Sequence, residues 1–290
     1  MDNIKEAKAL VITYISKVSL GSLNGSDSEA DNISSIKKIN VGTAQYPYKS
    51  SQAVRRALRD QLGVLGEELS EGVAATIQKG ASTTKCEPEK YIDDDLFGYM
   101  SAESGQTANK RTSPVRVSAL VSTNIYQGDL DFGTNYMSVK AGGNPNIFET
   151  EIHSGLYRGT ILIELDRVGC GEGFDQDLSE DEKKRRVLLL LDAIKNLWGS
   201  GRQSRFLSDI APKFVVAAIM KTKNPVFLES VIIKDGTVND GVIKETIEDY
   251  SDQIIETAIG MRSEMFKTDL EYTSVSHAFD KMKSWISSCF

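Results

Sequence analysis

The chain has 290 residues, 40% apolar and 26% charged, with a formal net charge of −7 and a pI near 5.1. That length suits one large domain, or a smaller one carrying an insertion, and the composition is that of an ordinary soluble globular protein. Two histidines and three widely spaced cysteines, Cys86, Cys170 and Cys289, leave too few ligands for a zinc site and no disulfide framework. No cofactor or metal is therefore expected, and the cytoplasm is the expected compartment. No apolar run approaches a membrane span, so no membrane partner is expected. The start, MDNIKEAKALVITYI, reads as the entry to a strand and not as a signal peptide.

Residues 7–20 place apolar groups on both faces, the pattern of a central strand. LNGSDSEADN follows with turn-forming density, and KKINVGTAQYP reads as extended up to Pro47. The first helix spans 51–62. Ala53, Val54, Ala57, Leu58 and Leu62 fall on one side, Arg55, Arg56 and Arg59 on the other, and Ser50 or Ser51 is the candidate N-cap. Residues 63–113 are mixed, with a short helix expected near Gly66–Gln78, an acidic DDDLFGYM and a polar loop. PVRVSALVST (114–123) reads as a strand, 124–150 as a Gly- and Asn-rich connection, and 156–168 as a strong strand.

The best helix is LSEDEKKRRVLLLLDAIKNLWG. Ser179 and Glu182 have capping-box spacing, acids fill the first turn, and an apolar stripe runs from Val187 to Leu197. Trp198 continues that stripe as a core residue, and Gly199 is placed to end the helix. PKFVVAAIMK and VFLESVIIK read as strands, the second ending at the turn Asp235-Gly236. Ile243, Ile247, Tyr250, Ile254, Ala258 and Met261 follow helical spacing, which predicts a helix over 240–266, and a short helix follows around 277–287. Strand-helix-strand repeated once is the ferredoxin-like order shared with RNA-recognition modules, so the fold class is α+β.

Three stretches carry the chemistry. In YPYKSSQAVRRALRD, Lys49, Ser50, Ser51 and Gln52 precede or open a helix whose free N–H groups suit an anion, and Arg55, Arg56 and Arg59 extend the positive surface. The ordinary alternative is a solvated basic helix face. In NKRTSPVRVS, Lys110, Arg111, Ser113 and Arg116 flank a turn entering a strand, where the alternative is a charged loop. In GSGRQSR, Gly199, Ser200, Gly201, Arg202, Gln203, Ser204 and Arg205 combine close backbone approach with donors. This is not a P-loop, and a plain helix-to-strand loop is the alternative.

Catalytic readings are weaker. Asp93, Asp94 and Asp95 are consecutive and point in different directions, as in a solvated acidic loop rather than a metal site. His153 beside Glu151 lacks an evident nucleophile and reads as structural. The aromatic consensus of standard RNA-recognition strands is absent, as is a helix-turn-helix with a basic recognition helix.

Taken together, LNGSD, YPYKSSQAVRRALRD, DDDLFGYM, KRTSPVRVSALVS and LWGSGRQSRFLSDIAPKFVVAAI resemble the DevR-type autoregulator family, the type I-B backbone subunit within the seventh CRISPR-associated (Cas) family. The resemblance covers about residues 10–220, and Gly-Ser-Gly stands where a Gly-Gly-Ala-like element is expected. It implies an RNA-recognition-like palm with a large inserted finger/thumb region. The palm is then 1–62 with 151–235, the insert 63–150, and 236–290 a set of C-terminal helical elements packing on the palm. It also implies a non-catalytic subunit of Cascade that polymerises head to tail along crRNA and presents the guide to a target DNA strand. Its partners would be further copies of itself and the large, repeat-binding and small subunits.

The RNA-binding residues implied are Asn24, Lys49, Ser50, Ser51, Gln52, Arg55, Arg56, Arg59, Lys110, Arg111, Ser113, Arg116 and Gly199 to Arg205. A guide holder must read phosphates and 2′-hydroxyls, which Arg, Lys, Ser and main-chain N–H groups suit. The acidic patch at Asp93–Asp95 is expected to meet basic patches of the next copy. The alternative reading is a CRISPR-associated RNA endonuclease with a metal-dependent aspartate, for which Asp93, Asp129 and Asp131 are candidates; a transcriptional autoregulator is the third.

Overall fold

The computed structural model describes residues 2–25, 33–70, 73–76, 81–101, 109–140, 142–144, 146–199 and 205–290. In chain order the main elements are β1 (Ala9–Gly21), β2 (Lys38–Val41), β3 (Ala44–Lys49), α1 (Ser51–Val64), α2 (Ile92–Phe97), β4 (Val115–Val117) and β5 (Leu120–Ser122). They continue with β6 (Asp129–Asn135), β7 (Asn146–Glu164), α3 (Glu180–Lys195), β8 (Phe214–Met220), α4 (Asp240–Asp249), β9 (Ile254–Met261) and α5 (Val275–Cys289).

One large antiparallel sheet organises them in the order β9-β8-β1-β7-β5-β3-β2, with β4 and β6 also paired to β7. β1 sits between β7 (Ala9 opposite Glu164) and β8 (Ile15 opposite Phe214), which explains its apolar residues on both faces. Leu10, Ile12 and Tyr14 pack with α1, α3 and α5 on one face. Val11 and Ile15 pack with Phe214, Phe227, Val231 and Ile243 on the other. Gly159 of β7 lets that packing close in, since a Cβ there would lie 3.0 Å from Leu120 Cδ1 and 3.1 Å from the Tyr14 ring.

The helices form where local signals agree. Ser50 Oγ caps α1 by accepting from Ala53 N (3.3 Å), and Val54, Ala57, Leu58 and Leu62 are buried. Ser179 Oγ accepts from Glu182 N (3.3 Å), while the Glu182 carboxylate turns to Arg185 and Arg186, so only half of the expected capping box forms. Val187, Leu190, Leu191 and Ile194 of α3 are fully buried, each worth about 1.5–3 kcal/mol relative to exposure. Ser274 caps α5, which spans the helix expected around 277–287.

Several expectations are corrected. The stretch 240–266 is not one helix: α4 ends at Asp249, and Ile254–Met261 is strand β9, paired antiparallel with β8. The same apolar spacing serves a strand there because β8 presents unpaired N–H and C=O groups that only a strand satisfies. Strand VFLESVIIK reduces to Ile233–Lys234, which pairs with Thr237–Val238 across the expected Asp235-Gly236 turn. Within Gly66–Gln78 the described residues hold no helix, and Val73–Thr76 pairs with Ala81–Thr83. The extended run does not stop at Pro47, which lies inside β3 opposite Lys38. The 114–123 strand is broken into β4 and β5. The connection 124–150 instead contains β6, which forms a hairpin with the first half of β7 (Asn135 opposite Asn146). Leu197 is buried, but Trp198 is 44% exposed and is not a core residue.

Candidate nucleic-acid interface

The start of α1 is built by the turn after β1. Asn24 Oδ1 accepts from Ser50 N (2.8 Å), which pins the helix entry to the end of the central strand. With the Ser50 hydroxyl spent on Ala53 N, the amides of Ser51 and Gln52 make no hydrogen bond among the described residues at the positive end of the helix, beside the exposed Gln52 side chain. Lys49 differs from expectation. Its side chain is 1% exposed and donates to Leu23 O (3.3 Å), so it buttresses the turn from within instead of facing a ligand. Burial pushes its pKa down to about 8, with Asp60 opposing the shift.

The arginine face of α1 leads to the edge of the sheet. Arg56 is exposed and pairs with Asp60 (2.8 Å). Arg59 stacks on Phe97 (4.9 Å to the ring centre) and lies 3.4 Å from Asp93 Oδ2. Arg55 forms no ion pair among the described residues, and its Nε has no hydrogen-bond partner there. Burial first, then the charges of Arg59 and Arg116, push its pKa down. A guanidinium crowded by two others and lacking a carboxylate is a place where an anion relieves repulsion. Arg116 reaches this edge from β4 and pairs with Glu164 (2.5 Å).

Glu164 was not singled out by sequence, yet it organises this edge. It gathers Arg116, Lys223 (3.2 Å) and Arg167 (3.3 Å). Burial raises its pKa, but those three cations outweigh burial and hold it below the ordinary range. The only sequence signal was an acidic residue directly after the apolar run Ile161-Leu162-Ile163.

The second expected stretch divides. Lys110 is exposed. Arg111 is buried, and its guanidinium is consumed by Asp95 Oδ1 (2.5 Å), Asp95 O (3.0 Å), Cys170 O (2.9 Å), Glu172 O (2.7 Å) and Arg167 O (2.7 Å). It has no donor to spare for a phosphate. The Ser113 hydroxyl is shared between Leu96 O and Val115 O, so it shapes the turn. In the third stretch Gly199 is buried with its N–H on Ser208 O (3.3 Å). Arg205 stacks on Phe148 and pairs with Asp131 (2.5 Å) and Thr150 Oγ1 (3.0 Å), which ties the loop to the β6–β7 hairpin. Ser200, Gly201, Arg202, Gln203 and Ser204 lie outside the described residues.

Asp93, Asp94 and Asp95 are the largest departure. They form half of α2 and are all buried, so they are neither a solvated loop nor a patch that can meet another copy. Asp95 accepts from Arg111, Arg186 (2.8 Å) and Gly169 N (3.1 Å). Asp93 accepts from Ser70 N (2.9 Å) and Asp94 from Glu87 N (3.0 Å). Burial raises the Asp93 pKa, opposed by Ser70 N and Arg59. α2 ends at Gly98 with φ +66°, where a Cβ would strike Arg111 O.

His153 is buried between Tyr126 and Tyr157 with Ser122 Oγ at 3.2 Å, and burial lowers its pKa. Its neighbour Glu151 pairs with Lys38 (2.8 Å), so the two form no acid–base couple. Among the described residues no group of three or more His, Cys, Asp or Glu side chains converges on a metal-sized site, and no helix is long and apolar enough to cross a membrane.

Residues 12–242 match the family model described as CRISPR-associated negative auto-regulator DevR/Csa2. The chain belongs to this family. A DevR relative, "CRISPR-associated protein Cas7/Cst2/DevR" from Myxococcus xanthus (strain DK1622), is 27% identical over 212 residues, 67% of this chain. The match spans 66% of that relative, just under two thirds of its length. Two solved structures share the fold at 16% identity, each covering 97% of this chain and 100% of its own. They belong to a CRISPR RNA-guided surveillance complex, pre-nicking (TM-score 0.68), and a CRISPR RNA-guided surveillance complex (TM-score 0.61). The DevR match ends inside α4, so β9 and α5 lie beyond it although they complete the core.

Proposed function

We propose that this DevR-family protein is a non-catalytic crRNA-binding backbone subunit of a type I-B Cascade, polymerising head to tail along the guide and presenting it to a target DNA strand. The observation that carries the reading is the cluster of Arg55, Arg59 and Arg116, in which Arg55 has no carboxylate partner among the described residues. A chain with net charge −7 that gathers three guanidiniums at one edge, one of them without a carboxylate partner among the described residues, is suited to a polyanion placed there. The open amides of Ser51 and Gln52 add backbone donors, which take phosphate without reading sequence.

The palm of this reading is RNA-recognition-like. Its support is the local order β8-β1-β7-β5 with α1 and α3 on one face. The finger/thumb region of this reading is the insert 63–150, within which β4, β5 and β6 pair with the sheet. The β6–β7 hairpin supports self-association: Leu130 and Phe132 project from one face of it and are exposed, Phe132 at 60%. The further partners are the large, repeat-binding and small subunits, in the cytoplasm.

The absence of catalysis is supported by the commitment of two of the three candidate aspartates, Asp129 being exposed and left to the test below. Asp93 is buried against Ser70 N and Arg59, and Asp131 is paired with Arg205. Co-expression with a CRISPR array, followed by sizing and sequencing of co-purifying nucleic acid, tests the whole reading. Repeat-spacer RNA of discrete length in a large particle is the expected result. A nucleic-acid-free monomer that stays so when the other subunits are added removes it. Metal-dependent cleavage of guide-complementary RNA, lost in Asp129→Ala, would move the assignment to the endonuclease.

A further inference from the structure

Trp198 lies just past α3, where the backbone makes a bridge with Asp209, and Gly199 N donates to Ser208 O. The Gln61 amide, oriented with its oxygen toward the indole, accepts from Trp198 Nε1 and donates to Asn196 O (3.2 Å). The ring is thus held at its one polar atom and still 44% exposed. It borders a groove of about 510 Å³ whose other walls include Lys195, Leu207, Asp209, Lys213 and Arg262. Asp209 is spent on Lys213 (2.5 Å). Lys195 donates to Ser276 Oγ (2.8 Å), and neither Lys195 nor Arg262 pairs with a carboxylate among the described residues.

Two cations without a carboxylate partner among the described residues, beside an immobilised, exposed aromatic ring, stand out on an acidic protein. Ser208, on the groove wall, links it through hydrogen bonds to the turn that precedes α1. Ser208 Oγ donates to Phe206 O (3.2 Å) and lies 3.5 Å from Leu20 O, and the turn after β1 then carries Leu23 and Asn24 to Lys49 and Ser50.

We propose that Trp198 is a stacking platform for an unpaired base of single-stranded RNA, with Lys195 and Arg262 taking the flanking phosphates. The inference rests on the RNA-binding reading above and names a contact that phosphate binding alone does not require. The chemistry favours a base over an apolar side chain. The indole N–H is already bonded, so only the π-faces remain on offer, and the flanking charges match a polyanion. Stacking of this kind is tolerant of base identity.

The test uses the full chain stripped of nucleic acid and titrated with labelled oligouridine and oligoadenosine, reading anisotropy and tryptophan emission together. Trp285, the other tryptophan, is buried with its Nε1 on Glu256 (2.9 Å), so quenching reports Trp198. Emission should fall in step with anisotropy for both oligomers. Trp198→Leu should weaken binding roughly 5- to 100-fold with the salt slope unchanged. Trp198→Phe, which keeps a ring, should retain most of the affinity and guards against a folding artefact.

Rising anisotropy with unchanged emission would overturn the stacking site and leave RNA binding intact. Equal affinity of Trp198→Leu and the parent chain would do the same. No anisotropy change at low salt would remove the RNA-binding reading and this inference with it. Emission changes that follow protein concentration without RNA, with a dimer on sizing, would give the groove to a second copy instead.

Discussion

α1 and the Asn109–Arg116 segment each carry closely spaced cations, and folding treats them oppositely. Arg55 keeps its charge uncommitted at the sheet edge, whereas Arg111 is enclosed by Asp95 and four backbone carbonyls. The difference lies in the acceptors that long-range contacts deliver. α2 brings a buried carboxylate to Arg111, while Arg55 receives only other guanidiniums. A basic residue is thus a ligand candidate only after the fold's own acceptors have been counted.

The largest expected effect tests the enclosed side. Arg111→Met leaves Asp95 with Arg186 and Gly169 N and takes the guanidinium from four carbonyls, and should cost about 3–5 kcal/mol in urea unfolding. The salt slope of RNA binding should not change. A falling slope with unchanged stability would erase the distinction.

Lys49 sharpens it, as a buried cation with no paired carboxylate. Above pH of about 8 the folded lysine is neutral, while the unfolded one stays protonated to about 10.5. The unfolded chain binds more protons there, so stability rises with pH across that window and is offset by a constant penalty below it. Lys49→Met should flatten that rise, by up to about 3 kcal/mol, in denaturation curves at pH 7, 8, 9 and 10.

On the open side, replacing Arg55, Arg56 and Arg59 together by Ala should lower the slope of log K against log salt by about 2, from roughly 0.7 per phosphate contact on a single strand. An unchanged slope takes α1 off the binding surface. The smallest effect is on stability: Arg55→Gln relieves crowding by Arg59 and Arg116 and should shift unfolding by no more than about 0.5 kcal/mol. A larger loss would mean that Arg55 has a structural partner after all.

What could be read from the sequence was local. Ser50, Ser179 and Ser274 each cap a helix whose apolar periodicity lies within one stretch, and α1, α3 and α5 form close to where that pattern places them. What could not be read was decided at a distance. Ile254, Ala258 and Met261 fit a helix as well as a strand until β8 supplies its ladder. β6 sits in a Gly- and Asn-rich stretch and gains strand structure only from its register with β7. Asp95 looked like one of three solvated acids because its partners, Arg111, Gly169 and Arg186, are remote in the chain.

The DevR match and the arginine helix were legible together, since YPYKSSQAVRRALRD holds both the cap and the basic face. Trp198 was not, because an apolar stripe gives no sign of where its last member leaves the core.

β7 runs without interruption through 19 residues, about 60 Å of extended chain. Its first half is one arm of the hairpin and its second half pairs with β1 at the centre of the sheet. The hairpin is thus the outer end of a beam anchored in the core, not an appendage on a hinge. A load taken up at its tip travels along one backbone to the strand beside β1, so whatever the hairpin grips is mechanically wired to the middle of the molecule.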